Sequence, residues 1–135
     1  MMLLSPSPGQ LSDRITILSI KIERGVRSSG SYEAAKVEYT ACNQLLDKYI
    51  VDKLNSTHQF TNLFVRLENQ NRKQWESEDA VRLALKACGD PPTYEQLLQV
   101  YITEKPNAEG NEKRAALVRE IDVLFEVPPE VKIYA

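Results

Sequence analysis

The stretch that most limits what this chain can become is DRITILSIKI, residues 13–22. It is crowded with β-branched residues, which favour strands, and Ile15, Thr16 and Ile17 alternate as a half-buried strand would. The alternation fails at Ile17–Leu18, where two apolar side chains adjoin. Helical spacing fits better, because Leu11, Ile15, Leu18 and Ile22 recur at i, i+4, i+7 and i+11. The flanks agree: Ser7 is a candidate N-cap, Pro8 a favoured first helical residue, and Gln10 completes an S-x-x-Q capping box. Arg24 then supplies a cation for the C-terminal end of the dipole and Gly25 a stop. The stretch predicts a helix over 8–24.

Ile17 and Ile20 fall on the other side of that helix. A helix that is apolar on two sides is enclosed on two sides. It is therefore either the central helix of a bundle, or one of its sides meets another subunit. Enclosure also accounts for the β-branched residues, which give up some helix propensity but pack well.

The rest of the chain reads as further helices. RSSGS is a loop, and Ser31 can cap a second helix over 32–54 with Ala35, Tyr39, Cys42, Leu46 and Tyr49 inward. A third helix spans 58–88 and ends at GDPP. Thr93 and Gln96 form another capping box for a short helix over 94–104. EKPNAEGN reads as a polar loop, and a last helix over 112–126 carries Leu117, Ile121 and Leu124. The expected fold is an all-α bundle of four to five helices in a single domain, 1–135, with residues 127–135 as an extended tail.

Composition excludes more than it assigns. A formal net charge of -2 gives no basic excess for nucleic acid. No apolar run approaches the ~20 residues of a membrane span, and the opening MMLL is too short for a signal peptide. Cys42 and Cys88 lack CxxC spacing and are expected as free thiols, so the expected location is cytoplasmic. His58 has no second His or Cys at metal spacing and reads as a surface or capping residue. No metal site is expected, and no cofactor can be named. No Ser or Cys has a base nearby for nucleophilic catalysis, and no glycine-rich loop could cradle a phosphate.

The third helix is the informative one. Its stripe Phe60–Leu63–Leu67 continues through Asn71, Gln74 and Glu78, then Val81 or Arg82, then Leu85, with Trp75 and Asp79 at the margin. The inward face is thus apolar, then polar for two turns, then apolar again. A buried polar band must be hydrogen-bonded or it costs a few kcal/mol per group. Glu78 and Arg82 are i, i+4 partners. Two readings stay open: a closed structural network, or the wall of a polar pocket with Trp75 as its platform. Asp13, on the second side of the first helix with Ile17, Ile20 and Arg24, can supply the opposing wall, although a carboxylate near a helix start is also favoured by the dipole.

Carboxylates on helices raise the question of metal. All-helical nucleotide pyrophosphatases of the MazG type hold Mg²⁺ through E-x-x-E and E-x-x-D helices. Glu76 and Asp79 give E-x-x-D, but the nearest E-x-x-E, Glu109 and Glu112, falls in an expected loop. Helical chorismate mutases surround a dicarboxylate with several cations, a role into which Arg14, Arg24 and Arg82 would have to be forced.

Three blocks carry a resemblance. SPGQLSDRITILSIKIER resembles the opening of a bacterial family of short proteins of unknown function, which typically starts near SPGELIDKITILEIK. NRKQWESEDAVR resembles that family's N-x-x-x-W-x-x-E-D-x-x-R helix through Asn71, Trp75, Glu78, Asp79 and Arg82. NEKRAALVREIDVL resembles a later block through Asn111, Arg114, Leu117, Arg119 and Ile121. Ser12 and Ser19 depart from positions that are usually Ile and Glu, and EKPNAEG looks like an insertion. The resemblance implies no activity, since the family has none established; its members often accompany glycosyltransferases and surface-polysaccharide genes. It adds Arg114 to the candidate set of Asp13, Asn71, Trp75, Glu78, Asp79 and Arg82.

Two functions follow as expectations. One is a non-enzymatic binding or assembly protein, homodimeric through the first helix or the 127–135 tail, with a small polar ligand as a further partner. The other is a small ligand-binding enzyme, such as a MazG-like Mg-dependent pyrophosphohydrolase using Glu78, Asp79 and Asp13.

Overall fold

Four helices follow one another in the computed structural model, which describes residues 6–25, 30–54 and 57–127. They are α1 (Pro8–Arg24), α2 (Gly30–Lys53), α3 (His58–Lys86) and α4 (Tyr94–Leu124). No strand occurs among the described residues, so the chain is all-α. No helix among them is long and apolar enough to cross a membrane.

α1 starts where the sequence says it should. Ser7 Oγ accepts from Gln10 N at 3.1 Å, and Gln10 Oε1 accepts from Ser7 N at 2.9 Å. Two further bonds come from α4: Ser7 Oγ donates to Asp122 Oδ2 at 3.0 Å, and Gly9 N donates to Asp122 Oδ1 at 2.7 Å. A carboxylate is thus placed on the positive end of the α1 dipole. Gly9 permits it, because a Cβ there would strike the carbonyl oxygen of Val118.

α1 is the middle layer. α2 lies against one side of it, and the antiparallel pair α3–α4 against the other. Leu11, Ile15 and Leu18 are buried on the first stripe, and Ser12, Thr16 and Ile20 are buried as well. The second side of α1 therefore meets helices of its own chain, with Ile20 buried and Ile17 half-buried. Leu11 and Ile15 share one core with Leu46, Phe60, Leu67, Leu117, Ile121 and Phe125. Phe125 closes its end, edge-on to Phe60 at 5.6 Å and to Tyr49 at 6.3 Å between ring centroids.

Two expectations change. The second helix begins at Gly30, so Ser31 lies within it and does not cap it. The fourth and fifth helices are one, α4, which runs through Pro106 and the whole of EKPNAEGN. A proline inside a helix loses one backbone bond and crowds the preceding turn; here side chains of α3 tie the stretch down. Gln74 Nε2 donates to the carbonyl of Asn107 at 2.9 Å and also to its side-chain oxygen. Gln70 Nε2 donates to the carbonyl of Gly110 at 3.4 Å. Gly110 lets the helices close up, since a Cβ there would collide with Gln74 Oε1. Glu109 and Glu112 therefore lie on a helix and not in a loop. Of the expected tail, Val127 packs on the core; residues 128–135 lie outside the described residues.

Candidate functional site

The polar residues of α3 go to three different places. The innermost is a clamp across three helices. Arg114 of α4 donates through Nε to Asp13 Oδ1 at 2.8 Å and through Nη2 to Oδ2 at 2.6 Å, a two-pronged ion pair. Asn71 of α3 donates through Nδ2 to the same Oδ1 at 2.9 Å and to Thr16 Oγ1 at 2.6 Å. Thr16 in turn donates to the Asp13 carbonyl at 2.8 Å. The side chains of Asp13 and Arg114 are 18% and 29% exposed. The bond to Asp13 pushes the Arg114 guanidinium further above its ordinary range; burial opposes this, and the charges of Asp13 and Glu78 add to it. Both Asp13 oxygens are thus occupied by donors. To act as a base or metal ligand, the carboxylate would have to abandon the bonds that join α1 to α3 and α4.

The second place is a hollow of about 700 Å³ between α1 and α2, within the range of small-molecule sites. Its lining includes Arg14, Lys21 and Arg24 from α1, Tyr32 and Glu38 from α2, and Trp75 from α3. The Arg24 guanidinium carbon stands 5.9 Å from the Trp75 ring centroid, a cation–π contact. Arg14 is held by Glu38, 2.7 Å between Nη2 and Oε2. Among the described residues Lys21 and Arg24 form no ion pair with a carboxylate, and both lie in the last turn of α1, where their charge also offsets the dipole. Cys42 is near this wall; burial, with the charge of Glu38, pushes its thiol up, away from the reactive thiolate.

The third place is open surface. Glu78 is exposed. Arg82 pairs with Asp79, three residues back at 3.2 Å, instead of with Glu78, and their side chains are 65% and 46% exposed. Leu85, expected inward, is 56% exposed. The reason is geometric. α1 ends at Arg24 beside Trp75, and Glu23 meets Arg72 at 2.7 Å, so beyond Trp75 there is no α1 for that face of α3 to be buried against.

The candidate residues therefore divide. Asp13, Asn71 and Arg114 come together; Trp75 joins the hollow; Glu78, Asp79 and Arg82 do neither. Among the described residues, no group of three or more His, Cys, Asp or Glu is placed to hold a metal ion. The chain matches no family model, no curated protein and no solved structure. Three members of these arrangements escape sequence reasoning: Thr16, Asp122 and Lys21. Thr16 had a usable signal, one turn beyond Asp13 on the same side of α1. Gly9 had one too, since a glycine in a first helical turn is unfavourable unless something passes close.

One expected result follows from the exposure of Glu78. Glu78→Ala should change the unfolding free energy by no more than about 0.5 kcal/mol in urea titration. A loss of about 3 kcal/mol would mean that Glu78 belongs to the clamp.

Proposed function

We propose that the protein is a non-enzymatic binding protein, and that its ligand site is the hollow beside Trp75. The observation that supports this is Arg24 over the Trp75 ring at one end of that hollow, with Lys21 and Arg14 on the same wall. An aromatic ring with the guanidinium of Arg24 over it and the ammonium of Lys21 nearby suits an anion that carries a ring. Nucleotide sugars have that chemistry, and the resemblance to a family found beside glycosyltransferases and surface-polysaccharide genes leads to the same ligands in the cytoplasm. The second reading, a Mg-dependent hydrolase, would draw on Asp13, Glu78 and Asp79. Asp13 is engaged by Arg114, Asp79 pairs with Arg82, and Glu78 is exposed with its charge felt by Arg114.

Trp75 is the single tryptophan, so its emission reports on this hollow alone. UDP-glucose should quench it saturably, and Lys21→Ala should weaken the binding about tenfold, the loss of one charge-assisted contact. The nucleotide sugar should be recovered unchanged after incubation with Mg²⁺. No fluorescence response would overturn the reading. Turnover that Asp79→Asn abolishes would replace it with the hydrolase.

A further inference from the structure

α4 carries two apolar stripes that face opposite ways. In its second half, Gly110, Leu117 and Ile121 are buried towards α1 and α3. In its first half, Tyr94, Leu97, Leu98, Tyr101 and Ile102 recur at i, i+3, i+4, i+7 and i+8, so they share one face. At 3.6 residues per turn the two stripes stand about 160° apart. The first-half stripe points away from α3, and its members are 79%, 54%, 44%, 65% and 53% exposed in chain order.

The seam between α3 and this half of α4 is the reverse of a normal one. Gln96, Val100 and Thr103 face it from α4, half-buried, opposite the half-buried Ser77, Val81 and Ala84 of α3. The small and polar side chains are inside and the large apolar ones outside. The orientation is pinned. Gln96 Oε1 accepts from Gly89 N at 3.0 Å and from Thr93 N at 2.9 Å, and its Nε2 donates to the Ala87 carbonyl at 3.0 Å. Turning the stripe inward would break the two bonds to Gly89 and Ala87; the bond to Thr93 is the capping box and turns with the helix.

We propose that a second copy of the chain covers this stripe, the first halves of the two α4 helices packing antiparallel across a two-fold axis at Leu98. The area is sufficient. Five large side chains of about 200 Å² each, rather more than half exposed, give about 600 Å² per copy and about 1,200 Å² for the pair, the lower bound of a specific, stable interface. A stripe of this size stands at the upper end of the range for the largest apolar patch on a typical monomer, about 300–600 Å², and such a patch is often functional. The charges at its ends are self-complementary: Asp90 precedes the stripe, and Lys105 continues it one turn beyond Tyr101. Antiparallel pairing about Leu98 sets each Lys105 opposite the end that carries Asp90 of the other copy and opposes the helix dipoles, whereas parallel pairing sets Lys105 against Lys105. A two-fold axis needs only one such surface. The interface lies on the arm that α3 and α4 extend past α1, away from the Trp75 hollow, so it stands independently of the ligand proposed there.

The full chain should sediment as a dimer at micromolar concentration. Leu98→Glu with Tyr101→Glu should raise the dimer dissociation constant by at least about 100-fold, with helical circular dichroism and the UDP-glucose response unchanged. In a Cys42→Ala, Cys88→Ser background, Leu98→Cys should form an intermolecular disulfide under copper–phenanthroline, and Val37→Cys, 71% exposed on α2, should not. A wild-type chain that stays monomeric to hundreds of micromolar overturns the proposal, as it would if another segment or a different protein covers the stripe. A dimer that survives both glutamates, or that crosslinks only through Val37→Cys, overturns it equally.

Discussion

Asp13→Ala should lower the unfolding free energy by about 3 kcal/mol. The substitution removes three hydrogen bonds at once, two from Arg114 and one from Asn71. The cost lies less in the lost pair than in what remains. Arg114 keeps a full charge with a side chain only 29% exposed, and Asn71, 4% exposed, keeps one donor bond, to Thr16. Because water still reaches the guanidinium, the loss falls at the low end of the 3–5 kcal/mol typical of broken buried pairs. Urea titration measures it, with an unchanged m-value showing that the variant reaches the same folded state. Asp13→Leu with Arg114→Met should recover a large part of the stability, because no unpaired charge is left behind. A single variant as stable as the parent would show that the clamp holds nothing together.

Leu67→Ala should cost as much or more, about 3–4 kcal/mol. Leu67 is 0% exposed and shares a core with Leu11, Ile15, Leu117 and Ile121, so the truncated side chain leaves a cavity with walls on three helices. Rigid helices collapse around it only in part, which places the loss near the middle of the Leu→Ala range. In a chain of this size the melting temperature should fall by on the order of 10 °C. Leu83→Ala, on the same helix but 67% exposed, should leave it nearly unchanged. Equal effects at the two positions would mean that the far part of α3 is covered in solution.

The first helix was legible because its signals are local. The Ser7–Gln10 box, the proline and the apolar spacing lie within one turn or a few of each other, and so do Thr93 and Gln96 at the start of α4. The double-sided burial of α1 was legible too, since Ile20 can only be explained by enclosure. What could not be read depended on a distant partner. Pro106 and Gly110 looked like a loop because Gln70 and Gln74, which hold them in a helix, are 40 and 33 residues from the groups they bond. The periodicity of α3 holds as far as Asn71 and Gln74, which are buried, and fails at Glu78 and Leu85, which are exposed, because periodicity does not tell where a neighbouring helix ends. Asp13 was picked out as one wall of the polar band, but its partner Arg114, 101 residues away, entered only through the family resemblance.

The central place of α1 also sets an order in time. Its anchors are remote: Asn71 is 58 residues from Asp13, Arg114 is 101, and Asp122 is 113 from Gly9. The contacts that join α3 to α4 span 33 and 40 residues. Closing the longer loops costs more entropy and comes later. On a ribosome adding about 5–20 residues per second, α1 emerges first and waits on the order of ten seconds for the hairpin that will enclose it. During that interval α2, which follows at once, can cover one of its sides, while the side that will meet α3 and α4 faces water. The helix that ends as the most protected element of the fold is thus the one most open to chaperones, or to aggregation, while the chain is being made.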